Sequence, residues 1–288
     1  MQFMSSFTNV KILPNFYQTS SFFPMPVVLI STFSETGQIN LGPYSLCFPY
    51  LVTGDYSMIL ITRNNSNTAL NIQHTKTCAI NFIPFKKRFL KNCVMLGYPG
   101  ETTAEKMKNS IFTLIPSQRT PEERKGGLKY PDIVQEAIQV FECTLNDKYP
   151  IEISKETPET RFILKIDKIL MKKKWRESLF KGKGFPKLPV DFGFRDNVNF
   201  WFCNHTEPYC EPIPKEKGVD YTFVKYAAQR IDPNFEWTDE ACEKLVKVPR
   251  IFLKKAIKGC LEEAKQRNLT IITPEFLDEI RAKRGKDR

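Results

Sequence analysis

Ile61-Thr-Arg-Asn-Asn-Ser-Asn-Thr-Ala-Leu-Asn-Ile72 is an apolar strand that runs almost directly into a helix. Ser66, Asn67 and Thr68 fall in the cap region of that helix. A helix N-terminus offers unsatisfied backbone N–H groups and the positive end of a dipole, which suits a phosphate. Arg63 stands just before it, with a guanidinium able to pair two phosphate oxygens at once. Hydroxyl and amide side chains cap most helices, so an ordinary N-cap is the competing reading. A second unusual segment lies upstream: Asn40-Leu-Gly-Pro-Tyr-Ser-Leu-Cys-Phe48, a strand carrying Gly-Pro and hydroxyls at its centre.

Around these two segments, from Pro26 to about Lys168, the chain reads as short strands. VVLIST, YSMILIT, CAINFI, QVFECTL and FILKIDKIL are rich in Val, Ile, Phe and Thr and are parted by Gly, Asn and Pro turns. Glu35-Thr-Gly-Gln38 is the turn that returns the first strand as a hairpin. Strands at this spacing predict a small β-barrel. Helices are predicted at Thr68 to His74, Thr103 to Ser110 and Asp132 to Ile138.

The composition changes at Lys172. Up to Asp220, Gly, Pro, Lys and aromatic residues dominate, and an irregular excursion is expected there. Its aromatics (Phe185, Phe192, Phe194, Phe200, Trp201, Phe202) imply that it packs on something. From Tyr221 onward the pattern is helical. Thr238 is an N-cap followed by two acids, and Pro249 separates that helix from the next. Phe252, Leu253, Ala256, Ile257, Cys260, Leu261 and Ala264 then share one face. Thr273 with Pro274 starts a third helix. The expected organisation is thus a barrel over residues 1–171, an aromatic and basic excursion over 172–220, and a three-helix unit over 221–288.

Formal net charge is +11. Between Lys165 and Lys187 nine Lys or Arg meet two acids, Asp167 and Glu177. A solvated face is the plain reading of such a run, and a docking patch for an anionic partner is the functional one. No aromatic interleaving or known motif makes it a nucleic-acid site. The 8 cysteines form no CxxC pair, which fits reduced thiols in a reducing compartment, with Cys78 and Cys143 in the core. No run approaches the roughly 18 apolar residues of a membrane span, and the N-terminus lacks the signal-peptide pattern, so a cytoplasmic location is expected. Cys203, His205 and Cys210 include metal-ligating types, but their C-x-H-x4-C spacing matches no common zinc site. No metal is expected. His74 is expected at the surface or an interface.

PVVLIST, NLGPYSLCF, TRNNSNTALNI and TCAINF, in this order and spacing, resemble the flavin reductase-like family of FMN-binding split barrels. The resemblance covers about Phe23 to Lys168. It implies a six-stranded, Greek-key-like barrel that forms a homodimer and binds FMN non-covalently near the subunit interface. It implies that Asn40, Pro43, Tyr44, Ser45, Leu46 and Cys47 lie along the ring and ribityl chain. Arg63, Asn64, Ser66, Asn67 and Thr68 would meet the phosphate, and Lys106 would border the site. Many members that use NAD(P)H carry Gly-Asp-His before the last barrel strand. This chain has Glu159-Thr160-Arg161 there, which favours an electron carrier of the flavoredoxin sort over a nicotinamide-dependent reductase; the partner expected is an acidic redox protein or NAD(P)H. A different class remains open: a non-catalytic module that uses this site for another anionic ligand. The C-terminal stretch from Trp237 to Phe252, with Ile271-Ile-Thr-Pro-Glu-Phe-Leu277, resembles the small helical domain ending light-independent protochlorophyllide reductase subunits. That resemblance implies a module near redox chemistry; a docking bundle without ligand is the alternative. The excursion from Lys181 to Cys210 is expected either to cover the flavin or to join the helical unit to the barrel.

Overall fold

The computed structural model describes residues 7–52, 54–98, 100–181, 183–194, 199–209, 211 and 221–286. The described chain divides into two compact units, Met1–Trp175 with Pro186–Glu207, and Arg176–Phe185 with Pro208–Arg288. The first unit begins with α1 (Phe16–Thr19), β1 (Met25–Pro26), β2 (Val28–Phe33), β3 (Ile39–Tyr44), β4 (Cys47–Leu51) and β5 (Ser57–Arg63). Then come α2 (Asn67–Thr75), β6 (Thr77–Phe82), α3 (Lys87–Leu96), α4 (Thr103–Lys108), β7 (Leu114–Ile115) and β8 (Ile133–Val134). β9 (Gln139–Leu145), β10 (Glu152–Ile153), β11 (Glu159–Met171), β12 (Pro189–Phe194) and β13 (Phe200–Asn204) follow, with α5 (Lys173–Lys181) between β11 and β12 starting in the first unit and passing into the second at Arg176.

The main sheet is antiparallel and curls into a half-barrel, in the order β3-β2-β6-β9-β11-β5-β4, with β10 paired to β11. The expected six strands are present, and β4 and β10 add to them. Both faces are covered, which is why VVLIST is apolar without alternation: Val28 and Ile30 enter one core with Phe162 and Leu164, while Val27 and Leu29 enter another with Phe89 of α3. Cys78 and Cys143 are fully buried, as expected. α3 escaped the sequence reading because Lys86 gives its start no side-chain cap; Phe89, Leu90, Cys93 and Leu96 bury its inner face.

Two sequence-based expectations are corrected. Asp132 to Ile138 is not helical: Ile133 and Val134 pair with β7, and the Val134 N–H donates to Asn81 Oδ1 at 2.9 Å. Two β-branched residues with ready partners prefer this pleated surface. The stretch from Lys172 onward also holds regular structure. β12 joins β1 and β13 in a three-stranded sheet, with Met25 opposite Asp191. Phe200 and Phe202 stack at 5.2 Å, and Phe202 packs on the outer core.

On β9 and β11 a buried ionic cluster secures residues 117–130. Arg119 lies 3.5 Å from both Glu142 and Asp167, and its guanidinium is 4.0 Å from the centre of the Tyr130 ring. Ser117 donates to Glu142 at 2.5 Å, and Thr144 donates to Asp167.

The second unit contains α6 (Tyr221–Ile231), β14 (Glu236–Trp237), α7 (Asp239–Val246), α8 (Arg250–Gln266), β15 (Ile271–Ile272) and α9 (Pro274–Lys286). It therefore has α6 in addition to the three expected helices. Thr238 caps α7 through Ala241 N–H as read from the sequence. Trp237, Ile257, Leu261 and Ile272 form its own core, and β14 pairs in parallel with β15. Among the described residues no helix is long and apolar enough to cross a membrane.

Candidate functional site

Ser66 ends β5's exit turn in an extended conformation, and its hydroxyl accepts from the Ala69 N–H at 3.1 Å. That cap satisfies one orphan donor of α2 and leaves the Asn67 and Thr68 amides without an acceptor among the described residues. Arg63 is exposed, and its side chain makes no ion pair among the described residues. In the sheet it stands opposite Glu159, but the Glu159 carboxylate is 3.2 Å from Arg161. A cation and a helix start therefore lie three residues apart with their donors uncommitted.

β3 packs against this turn so closely that only glycine fits at position 42. A Cβ there would stand 2.5 Å from Thr68 Oγ1 and 2.8 Å from the Tyr44 ring. Tyr44 donates its hydroxyl to Ser66 at 3.1 Å. Burial raises the Tyr44 pKa, against the opposing pull of its hydrogen bonding with Ser66 and Thr68 and of the Arg63 charge. Asn40 is fully buried; its amide donates to Thr68 Oγ1 at 3.2 Å, and its carbonyl accepts from Lys106 Nζ at 3.4 Å. Burial lowers the Lys106 pKa to about 8, with Glu101 acting in the opposite sense. α4, which carries Lys106, is fixed by a capping box between Thr102 and Glu105. Asn67 joins this region by donating to the Glu101 carbonyl at 3.3 Å.

Asn40, Tyr44, Ser66, Asn67, Thr68 and Lys106 thus form one hydrogen-bonded neighbourhood, with Arg63 and the half-buried Asn64 on the adjoining turn. The other expected residues are used differently. Pro43 is half-buried; in the packing beside Gly97, a Cβ on that glycine would stand 3.2 Å from the Pro43 Cγ. Ser45 donates to the buried Asp191 of β12. Leu46 is half-buried and its carbonyl accepts from Ile61 N–H at 3.0 Å. The Cys47 side chain lies in the barrel core, where burial pushes its thiol pKa up, so only its backbone is available to a ligand.

Sequence reasoning missed Tyr17, Thr32, Asn71 and Asp191. Thr32 accepts from Asn71 at 2.9 Å and from Asn40 at 3.4 Å, completing the polar layer beneath Thr68. The Tyr17 pKa is raised by burial, then by Glu159 and Asp191, against Arg63, so α1 shares the field of the turn that Arg63 opens. None of these carries a sequence signal of its own; Asp191 is brought to Ser45 only by the β1–β12 pairing.

Cys203 is half-buried, and the ring nitrogens of His205 lie 2.8 Å from the Pro186 and Thr206 carbonyls. Cys210 lies outside the described residues. His74 is at the surface, 3.5 Å from Glu35.

Neither a family model nor a curated protein sequence matches this chain. Solved structures do match. Flavoredoxin from Methanosarcina acetivorans is 16% identical, with a TM-score of 0.51 over 73% of this chain and 98% of its own. Nitrilotriacetate monooxygenase component B from Bacillus cereus is 17% identical, with a TM-score of 0.51 over 72% and 99%. An FMN-binding protein from Thermus thermophilus, solved with bound p-hydroxybenzaldehyde, is 14% identical, with a TM-score of 0.51 over 73% and 100%. At these identities the likeness is one of fold: the chain has the split barrel of the flavin reductase-like proteins.

Proposed function

We propose that the chain binds FMN non-covalently on its split barrel and serves as a redox flavoprotein, an electron carrier of the flavoredoxin sort. The observation that carries this reading is the turn from Arg63 to Thr68. Among the described residues the Arg63 side chain makes no ion pair and the Asn67 and Thr68 amides have no acceptor, and the turn lies beside a strand held close by Gly42. This donor set fits one phosphate. Among the described residues no second glycine-rich turn adjoins this one for a diphosphate, so FMN is favoured over FAD.

When bound, the flavin ring supplies the electron or hydride chemistry. Arg63 and the Asn67 and Thr68 amides hold the phosphate, while Asn64 and Ser66 line the turn. Asn40, Pro43, Tyr44, Ser45, Leu46 and the Cys47 backbone flank the ribityl chain and ring. Lys106 holds a proton at Nζ beside Asn40. The excursion covers the ring, a reading supported by the Asp191–Ser45 contact. The protein acts as a homodimer, with each FMN against both subunits. Glu159-Thr160-Arg161, in place of Gly-Asp-His, disfavours NAD(P)H as electron donor, and the basic run from Lys165 to Lys187 suits an acidic redox partner instead.

The test begins with the purified protein, which should be yellow with flavin absorbance. Heat release followed by chromatography should recover FMN. Recovery of FAD alone overturns the choice of cofactor. A colourless protein that takes up no added FMN overturns the flavin reading and leaves another anion as the ligand.

A further inference from the structure

The first unit leaves two apolar surfaces in water. One is the N-terminal arm, residues 7–24, where Val10 is 61%, Ile12 82% and Phe16 57% exposed. The arm has local order: Ser20 Oγ accepts from Leu13 N–H at 3.1 Å and donates to the Lys11 carbonyl at 2.9 Å. The result is a hook that leaves Val10, Ile12 and Phe16 largely exposed. The other surface is the β4–β5 hairpin, where Tyr50 is 46%, Val52 72% and Tyr56 58% exposed.

The two surfaces are continuous, because Phe23 at the base of the arm meets Phe48 of β4 edge to face at 6.3 Å. β4 is also the terminal strand of the main sheet. Such edges are commonly guarded by charge, and Cys47-Phe-Pro-Tyr-Leu51 has none. Pro49 has no N–H to offer, so this edge is a poor template for strand addition and is better covered by side chains.

We propose that the arm of one copy covers the β4–β5 hairpin of a second copy, and the reverse, across a two-fold axis. A second copy is the occupant that supplies both surfaces at once, and a two-fold axis makes each arm–hairpin contact occur twice. Aromatic side chains bring roughly 150–250 Å² each. With the aliphatic residues, reciprocal closure removes on the order of 1,200 Å², the lower end of a stable interface. Soluble monomers rarely leave apolar patches of this extent uncovered. The inference gives the proposed homodimer its surface and rests on that dimer, not on the flavin.

The test is sedimentation velocity on the full chain and on two variants, I12S/F16S in the arm and V52K/Y56S in the hairpin, with far-UV circular dichroism to verify folding. The wild type should be a dimer. Each variant should keep its spectrum and weaken dimerisation by about a hundredfold, as expected when buried apolar side chains are lost from both copies of a contact. Mixing the two variants should restore part of the association, because one intact arm then meets one intact hairpin. A monomeric wild type overturns both the interface and the dimer. A dimer unchanged in the folded variants overturns the interface alone and leaves the dimer and the flavin reading standing. If a variant fails to fold, an arm deletion ending at Leu13 replaces it, and an unchanged dimer there is equally fatal.

Discussion

Arg63 and Lys106 are the two cations of the site, and they differ in how they are held. Arg63 is exposed and its side chain makes no ion pair among the described residues, so Arg63→Ala should leave the urea midpoint unchanged. A charged hydrogen bond contributes about 1.5–3 kcal/mol, so FMN affinity should fall at least about tenfold. Fluorescence titration measures this, and an unchanged affinity removes Arg63 from the site. Lys106 is buried, and its pKa drops from 10.5 to about 8. Between those values the unfolded chain holds more protons than the folded one. The Lys106 contribution to stability is therefore least favourable below about pH 8 and improves as pH rises toward 10.5. An anion bound nearby draws the proton back. Binding of FMN near pH 9 should accordingly take up a fraction of a proton, seen as a buffer-dependent calorimetric heat that Lys106→Met abolishes. Heats that do not vary with buffer place Lys106 out of reach of the phosphate. The positions of these two residues were unevenly legible beforehand. Arg63 and the cap at Ser66 stand in one short stretch of chain, so local pattern sufficed. Lys106 and Asp191 reach the site only through tertiary placement.

Among the elements, the strands were the most readable because apolar runs with turn signals survive almost any tertiary context. Two kinds of element escaped. α3 lacks a cap signal, and its helicity follows from burying one face. β12 and β13 lie in Gly- and Pro-rich chain, and they pair because β1 offers an edge. The loop of residues 117–130 owes its place to the buried Arg119 between Glu142 and Asp167. Removing one member of a buried ionic group strands the others in low dielectric, at a cost of about 3–5 kcal/mol. Arg119→Met should therefore lower stability by that much in urea unfolding, with deuterium exchange rising first over 117–130. A loss below about 1 kcal/mol means that water already reaches the carboxylates.

At the scale of the whole molecule, the second unit has a core of its own around Trp237, which is 2% exposed. A fragment from Pro208 to Arg288, in which Trp237 is the sole tryptophan, should fold alone. It should show blue-shifted emission that moves red in one cooperative step with urea. Emission at the solvent-exposed wavelength without denaturant means that the unit needs the rest of the chain.

The pairing of β1 with β12 also has a consequence in time. Met25 is 1% exposed once it lies opposite Asp191, but the ribosome makes Met25 first. At roughly 5–20 residues per second, on the order of ten seconds or more separate the two. Throughout that interval the barrel strands can assemble in order while the segment ahead of them has nothing to pair with. Closing so long a loop is slow compared with forming hairpins. Within the first unit the pairing of β1 thus waits on β12, and a nascent chain stalled before Pro189 carries the main sheet with β1 still unpaired.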